Sequence, residues 1–193
     1  MRYEPLALDG AWLIRPEKAA DERGFFARII CVKEFAAHGL QGSFVQSSIS
    51  HNRLRGTVRG MHFQWPPSRE AKLVRCVRGG ICDMLLDLRP DSPSFLQHAA
   101  VTLDDVADDS VYIPAGFAHG FQTLTDNALV QYHMTDEFRP DLAVGFRWDD
   151  PAFSIVLPLP VSVIAARDAG YTLFDRESYE AKYRDGLSAP YPS

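Results

Sequence analysis

Cysteine is scarce: three in 193 residues, Cys31, Cys76 and Cys82, an odd number without metal-ligand spacing. That set excludes a disulfide framework and a cysteine zinc motif, and it leaves reduced, partly buried thiols. Long apolar runs are missing as well. No stretch reaches the ~18 residues needed to cross a bilayer, and the best candidate, 155–166, is interrupted by Pro158 and Pro160. The first residues carry Arg2, Glu4 and Asp9 where a signal peptide has its apolar core, so a cytoplasmic protein with no membrane partner is expected. Positive charge is in deficit, with 20 Lys and Arg against 25 Asp and Glu for a net −5, which argues against nucleic acid as a general partner. Repeats, linkers and low-complexity segments are absent too. One domain over 1–193 is expected, with a peripheral helix and tail from about residue 170.

The distribution of charge says more than its sum. Between Arg53 and Arg78 stand seven basic residues (Arg53, Arg55, Arg59, Arg69, Lys72, Arg75 and Arg78) and one acid, Glu70. In an acidic protein such a segment suits the holding of a small anion, the plain alternative being a solvated strand face.

Short β-type runs dominate the chain, at 25–32, 44–51, 57–63, 71–78, 81–88, 97–103, 110–113, 120–124 and 128–135. Turn-type residues separate them at close intervals, the rhythm of an antiparallel sandwich or barrel. Gly79-Gly80, set between two such runs, reads as a tight hairpin. Helices are few: a short one at 33–38, ahead of Gly39, and another at 178–184, with a loose tail at 187–193. The fold class expected is all-β, a cupin-type jelly-roll barrel with a few short peripheral helices and its site in the barrel mouth.

Two motifs carry the chemistry. Arg59-Gly60-Met61-His62-Phe63-Gln64 is matched later by Pro114-Ala115-Gly116-Phe117-Ala118-His119-Gly120, so that two strand histidines can face one cavity. A cupin metal site would place a second imidazole two residues after His62, where this chain has Gln64, and no glutamate follows within five residues. His62 is thereby left free to act as a base. A base needs an orienting carboxylate, an opposed acid and a cation for the developing charge. Asp168, Tyr132 and Lys72 are available. Taken singly, each also fits a plain role as turn residue, core aromatic or surface charge, and spacing does not choose.

Several segments together resemble the dTDP-4-dehydrorhamnose 3,5-epimerase family. They are Asp21-Glu22-Arg23-Gly24-Phe25-Phe26, Phe44-Val45-Gln46, Arg55 through Gln64, Lys72 through Gly79, Asp87-Leu88-Arg89, Ile113 through Gly120, and Gly145 through Pro151. They follow the family's order from about residue 5 to about 170. The resemblance implies a metal-free and cofactor-free jelly roll, usually a homodimer. Its substrate would be a nucleotide-diphospho-4-keto-6-deoxy sugar, epimerised beside the C4 ketone in rhamnose-type or modified deoxysugar biosynthesis. By position, His62 resembles the proton acceptor, Asp168 its carboxylate partner, Tyr132 the proton donor and Lys72 the cation at the C4 oxygen. Arg23 and Arg59 match the diphosphate grip, and Gln46, His119 and Arg167 match further substrate contacts.

The chain departs from the family pattern in the outer region. Arg28 stands in place of a glutamate at the nucleotide, Ser47-Ser48 in place of an Asp-Asn pair, Phe138 in place of a tyrosine and Ala143 in place of an acidic contact. Exchanging carboxylate for guanidinium inverts acceptor and donor, so altered nucleotide recognition through Arg28 and Ser48 is expected. Alternatives are a 3-only or 5-only epimerase on another nucleotide-linked keto sugar, or a metal-dependent cupin enzyme.

Overall fold

At Gly79 the chain leaves one sheet for another. The computed structural model describes residues 1–191. From the N-terminus come β1 (Arg2–Pro5), β2 (Trp12–Arg15), β3 (Ala19–Asp21), β4 (Gly24–Phe26), α1 (Val32–Ala37), β5 (Gln46–Asn52) and β6 (Thr57–Gln64). Then follow β7 (Lys72–Arg78), β8 (Gly80–Asp87), β9 (His98–Asp104), β10 (Ser110–Ile113), β11 (Phe117–Thr123) and β12 (Ala128–Met134). The last elements are β13 (Ala143–Gly145), β14 (Val163–Ile164), α2 (Ala166–Ala169) and α3 (Arg176–Ser188).

One sheet has the order β1-β2-β10-β7-β12-β5 and the other β13-β6-β11-β8-β9, with β14 laid parallel along β6. This is the expected jelly roll with few helices. The glycine pair, however, makes no hairpin: β7 belongs to the first sheet and β8 to the second. Gly79, at φ +78°, turns the corner, with its N–H on Asp105 at 2.9 Å and the N–H of Gly80 on Thr125 at 3.0 Å. A Cβ on Gly79 would stand 2.3 Å from the Thr125 hydroxyl, so the corner is closed around a glycine.

Strand β8 is buried at all eight positions because both faces of its sheet are covered. Ile81 and Leu85 point between the sheets, against Val74, Val111, Phe121 and Val130. Cys82, Met84 and Leu86 point outward, beneath Phe146, Phe153, Tyr179 and Tyr183. Tyr179 and Tyr183 come from α3, whose start is fixed by Asp175 accepting from the Ser178 N–H at 2.9 Å. That cap starts the helix ahead of the 178–184 expected, and it runs through Leu187 and Ser188. Tyr191 is also anchored, its hydroxyl donating to Asp136, so the tail is not loose as far as residue 191, and the rest of it lies outside the described residues. Helix α1 covers the outer face of the first sheet through buried Phe35.

Along the inner faces the apolar core gives way to polar groups toward one end. On β7, Cys76 and Val74 pack in the core and Lys72 follows. On β12, Ala128 and Val130 are succeeded by Tyr132. The polar end is where a cleft opens.

Candidate active site

The cleft measures about 790 Å³, inside the roughly 300–1,000 Å³ of small-molecule sites. Its walls come from both sheets. Arg59 and His62 stand on β6, Lys72 on β7, Tyr132 on β12, Gln46 and Ser48 on β5, and Arg167 and Asp168 on α2. Apolar side chains, Phe63, Met134, Phe138 and Val144, line much of the remainder, together with Gln64 and Glu70.

Arg59 and His62 lie three residues apart, an odd spacing that a regular strand would send to opposite faces. The pairing of β6 with β11 resolves this. His119 faces His62 and Phe121 faces Arg59, so β6 carries one residue more than its partner between the two pairs, a β-bulge. Gly60 occupies the bulge at φ +109°, where a Cβ would lie 2.5 Å from the Cα of Gly120. Only glycines allow the two backbones this approach.

The Gly60 N–H donates to Asp168 Oδ2 at 3.1 Å, and Asp168 Oδ1 lies 3.0 Å from His62 Nε2. The carboxylate is nearly buried, whereas the imidazole is 45% exposed toward the cleft. With Nε2–H donating to the carboxylate, Nδ1 is the unprotonated nitrogen. Burial lowers the pKa of His62 below its ordinary value, while Asp168 pulls it back upward. The ring is therefore neutral near pH 7, with a counter-charge in place for the imidazolium. Tyr132 stands on the opposite sheet. Burial drives its phenol pKa far above the usual value, the Asp83 carboxylate adds to this and Arg59 opposes it, so the hydroxyl keeps its proton.

Lys72 donates to Glu70, and both side chains are largely enclosed. Gln64, also in the lining, is tied to the loop that follows β12: its oxygen accepts from the Arg139 N–H at 2.7 Å, and its amide reaches the Glu137 carbonyl at 3.4 Å. Gln46 likewise accepts from the Phe138 N–H at 3.0 Å. The two glutamines thus hold the 136–139 loop that brings Phe138 to the cleft. Arg167 donates to the Tyr171 hydroxyl at 2.6 Å.

Three of the expected residues are not in the lining. His119 lies behind it, 2.7 Å from Asp83, with its ring edge-on to Tyr132 at 5.9 Å. Arg23 sits on the β3–β4 hairpin, which pairs with no other strand among the described residues, and its guanidinium folds onto Asp21. Arg28, just beyond the hairpin, meets Glu34 at 3.4 Å. The basic segment does not converge either. Arg75 pairs with Asp108, Arg55 and Arg78 bond backbone carbonyls, and only Arg59 and Lys72 enter the cleft. Sequence reasoning did not single out Glu70, which lies just ahead of β7 and is joined to Lys72, the first residue of that strand, by a hydrogen bond.

The family model described as dTDP-4-dehydrorhamnose 3,5-epimerase matches residues 5–176. The chain belongs to that family. It is 40% identical to the dTDP-4-dehydrorhamnose 3,5-epimerase of Methanothermobacter thermautotrophicus, over 82% of this chain and 84% of that one. It is 37% identical to the dTDP-4-dehydrorhamnose 3-epimerase of Streptomyces niveus, over 87% and 81%. Among solved structures, the Legionella pneumophila dTDP-6-deoxy-D-glucose-3,5-epimerase, in complex with dTDP-4-keto-L-rhamnose, superposes with a TM-score of 0.82 at 32% identity, covering 89% of this chain and 92% of that one. As a member of this epimerase family the chain is an isomerase, and no helix of the described residues is long and apolar enough to cross a membrane.

Proposed function

We propose that the cleft epimerises a nucleotide-diphospho-4-keto-6-deoxy sugar at carbon centres flanking the ketone. The observation that carries this is the placement of His62 and Tyr132 on facing sheets of one cleft, a neutral base opposite a protonated acid. His62 Nδ1 takes the proton from the carbon beside C4, the electrons of the broken C–H bond form a double bond to C4, and the carbonyl π pair moves to the C4 oxygen. Lys72 stabilises the enolate formed. A single fixed donor at such an oxygen is worth about 3 kcal/mol by comparison with oxyanion holes. Tyr132 then protonates the opposite face as the ketone re-forms, and the proton on His62 returns to the phenolate through solvent.

Arg59 and Arg167 supply positive charge for the diphosphate, and Gln46 and Ser48 form the rim along β5. His119, paired with Asp83, supports the Tyr132 ring from behind in this reading. Arg23 and Arg28 reach substrate only in the cleft of a second copy. Phe26, on the same hairpin, is 78% exposed, which supports an arm that packs elsewhere in a homodimer.

A 3-only epimerase is the second reading, favoured by the likeness to the Streptomyces niveus 3-epimerase and by Phe138, which brings no hydroxyl to the cleft. Proton NMR in deuterium oxide with dTDP-4-keto-6-deoxyglucose tests both. Deuterium at C3 and C5 supports double epimerisation, and deuterium at C3 alone supports the second reading. No exchange with the thymidine, guanosine and cytidine diphosphate sugars would overturn the proposal.

A further inference from the structure

Glu70 lines the cleft, and the chemistry above makes no use of it. Its carboxylate is 8% exposed and the Lys72 side chain 15%, so the pair is withdrawn from bulk water. A carboxylate in such a place needs hydrogen-bond donors to offset its lost hydration. Lys72 supplies one, on Oε2. The Glu70 N–H donates to Ser68 at 3.3 Å, and Ser68 in turn donates to Asp136 at 3.0 Å, so the backbone that presents the carboxylate is itself tied down. The result is a fixed donor and a fixed acceptor side by side on one wall.

That pattern is the complement of an α-hydroxy ketone, in which a carbonyl oxygen accepts and the neighbouring hydroxyl donates. In a 4-keto-6-deoxyhexose only one hydroxyl adjoins the ketone, at C3. The other neighbour, C5, carries the ring oxygen and the methyl group, neither of which can donate. We propose that Glu70 reads the C3 hydroxyl while Lys72 holds the C4 oxygen, so that the pair selects 3-hydroxy over 3-deoxy 4-keto sugars. The same carboxylate repels a ring turned the other way, because the ring oxygen would then face an acceptor. This inference rests on the epimerase reading and names the group on the substrate that the site recognises.

The test compares total deuterium uptake at C3 and C5 for dTDP-4-keto-6-deoxyglucose and its 3-deoxy analogue. Wild type should favour the hydroxylated sugar by about 10- to 100-fold in kcat/KM, the range for a hydrogen bond to a charged group. In Glu70→Ala both rates fall, because Lys72 loses its anchor, but the ratio between the sugars should approach one. Glu70→Gln, nearly the same shape and still an acceptor, should keep part of the preference, and it stands in should the alanine variant fail to fold. A ratio left unchanged in both variants would show that Glu70 only holds Lys72, and would overturn the proposal. So would a wild type that exchanges both sugars equally, with the epimerase reading intact. A wild type that exchanges neither would remove that reading and this one with it.

Discussion

His62 must be neutral to accept a proton, and two opposing influences set where that holds. Burial lowers its pKa and Asp168 raises it, with burial the larger. The acid limb of kcat/KM, which reports the free enzyme's base, should therefore fall below pH 6.5, the ordinary value for the ring. Below that limb the ring is protonated and the rate is lost. Asp168→Asn removes the group that raises the pKa, so the limb should move to still lower pH. The plateau should drop by about 10²- to 10⁴-fold, because the imidazolium loses its counter-charge and the ring its fixed tautomer. A pH–rate profile checks both, and a limb that moved upward would contradict the arrangement. None of this coupling has a local signature. His62 and Asp168 are 106 residues apart and meet only because β14 lies along β6. Resemblance to a family points to the role of Asp168, whereas its position alone reads as a turn.

Among the elements, the β6 bulge is what aligns the site. It turns Arg59 and His62 to one side and presents the Gly60 N–H to Asp168. Gly60→Ala would force a Cβ to 2.6 Å from the His119 carbonyl, at a φ of +109°. The variant should lose at least about 1–3 kcal/mol of stability, read as a lower urea midpoint with an unchanged m-value. Gly24→Ala is the control, with φ +127° but nothing within 4 Å of the new Cβ, and should lose less. Equal losses would mean that backbone strain alone, without the close approach to β11, sets the cost. The central strands were legible from alternation and turn residues, because burial on one or both faces is written into each of them. The edge pair β1 and β2 was not. Each has four residues, and charges such as Glu4 and Arg15, paired at 2.9 Å, interrupt the apolar pattern. Gly79-Gly80 misled for a related reason. A tight turn and a corner between sheets use the same residues, and partner choice is decided by strands elsewhere.

For the molecule as a whole, the β3–β4 hairpin is the part whose sequence promises a role that one chain does not fulfil. Arg23 is 83% exposed and turned onto Asp21. If the arm serves the cleft of a second copy, Arg23→Ala and His62→Ala damage different halves of one site. Each variant alone should be nearly inactive. Subunits mixed after mild dissociation should regain activity, because some pairs then hold one intact cleft with one intact arm. No recovery, with exchange of subunits verified by mass, would contradict the shared site. The acidic chain with a basic segment also takes its meaning at this scale. Strand alternation and loops turn those cations in different directions, Arg75 onto Asp108 among them, and Arg59 and Lys72 remain as the ones in the cleft.

A base and an acid on opposite faces of one sugar are the core of the proposed reaction. The most direct test follows deuterium uptake and product stereochemistry together, by proton NMR in deuterium oxide, for His62→Ala and Tyr132→Phe. The arrangement predicts that His62→Ala incorporates no deuterium, whereas Tyr132→Phe still loses the proton beside the ketone but receives a deuteron on the original face. Full exchange by His62→Ala, or inversion undiminished in Tyr132→Phe, would contradict it.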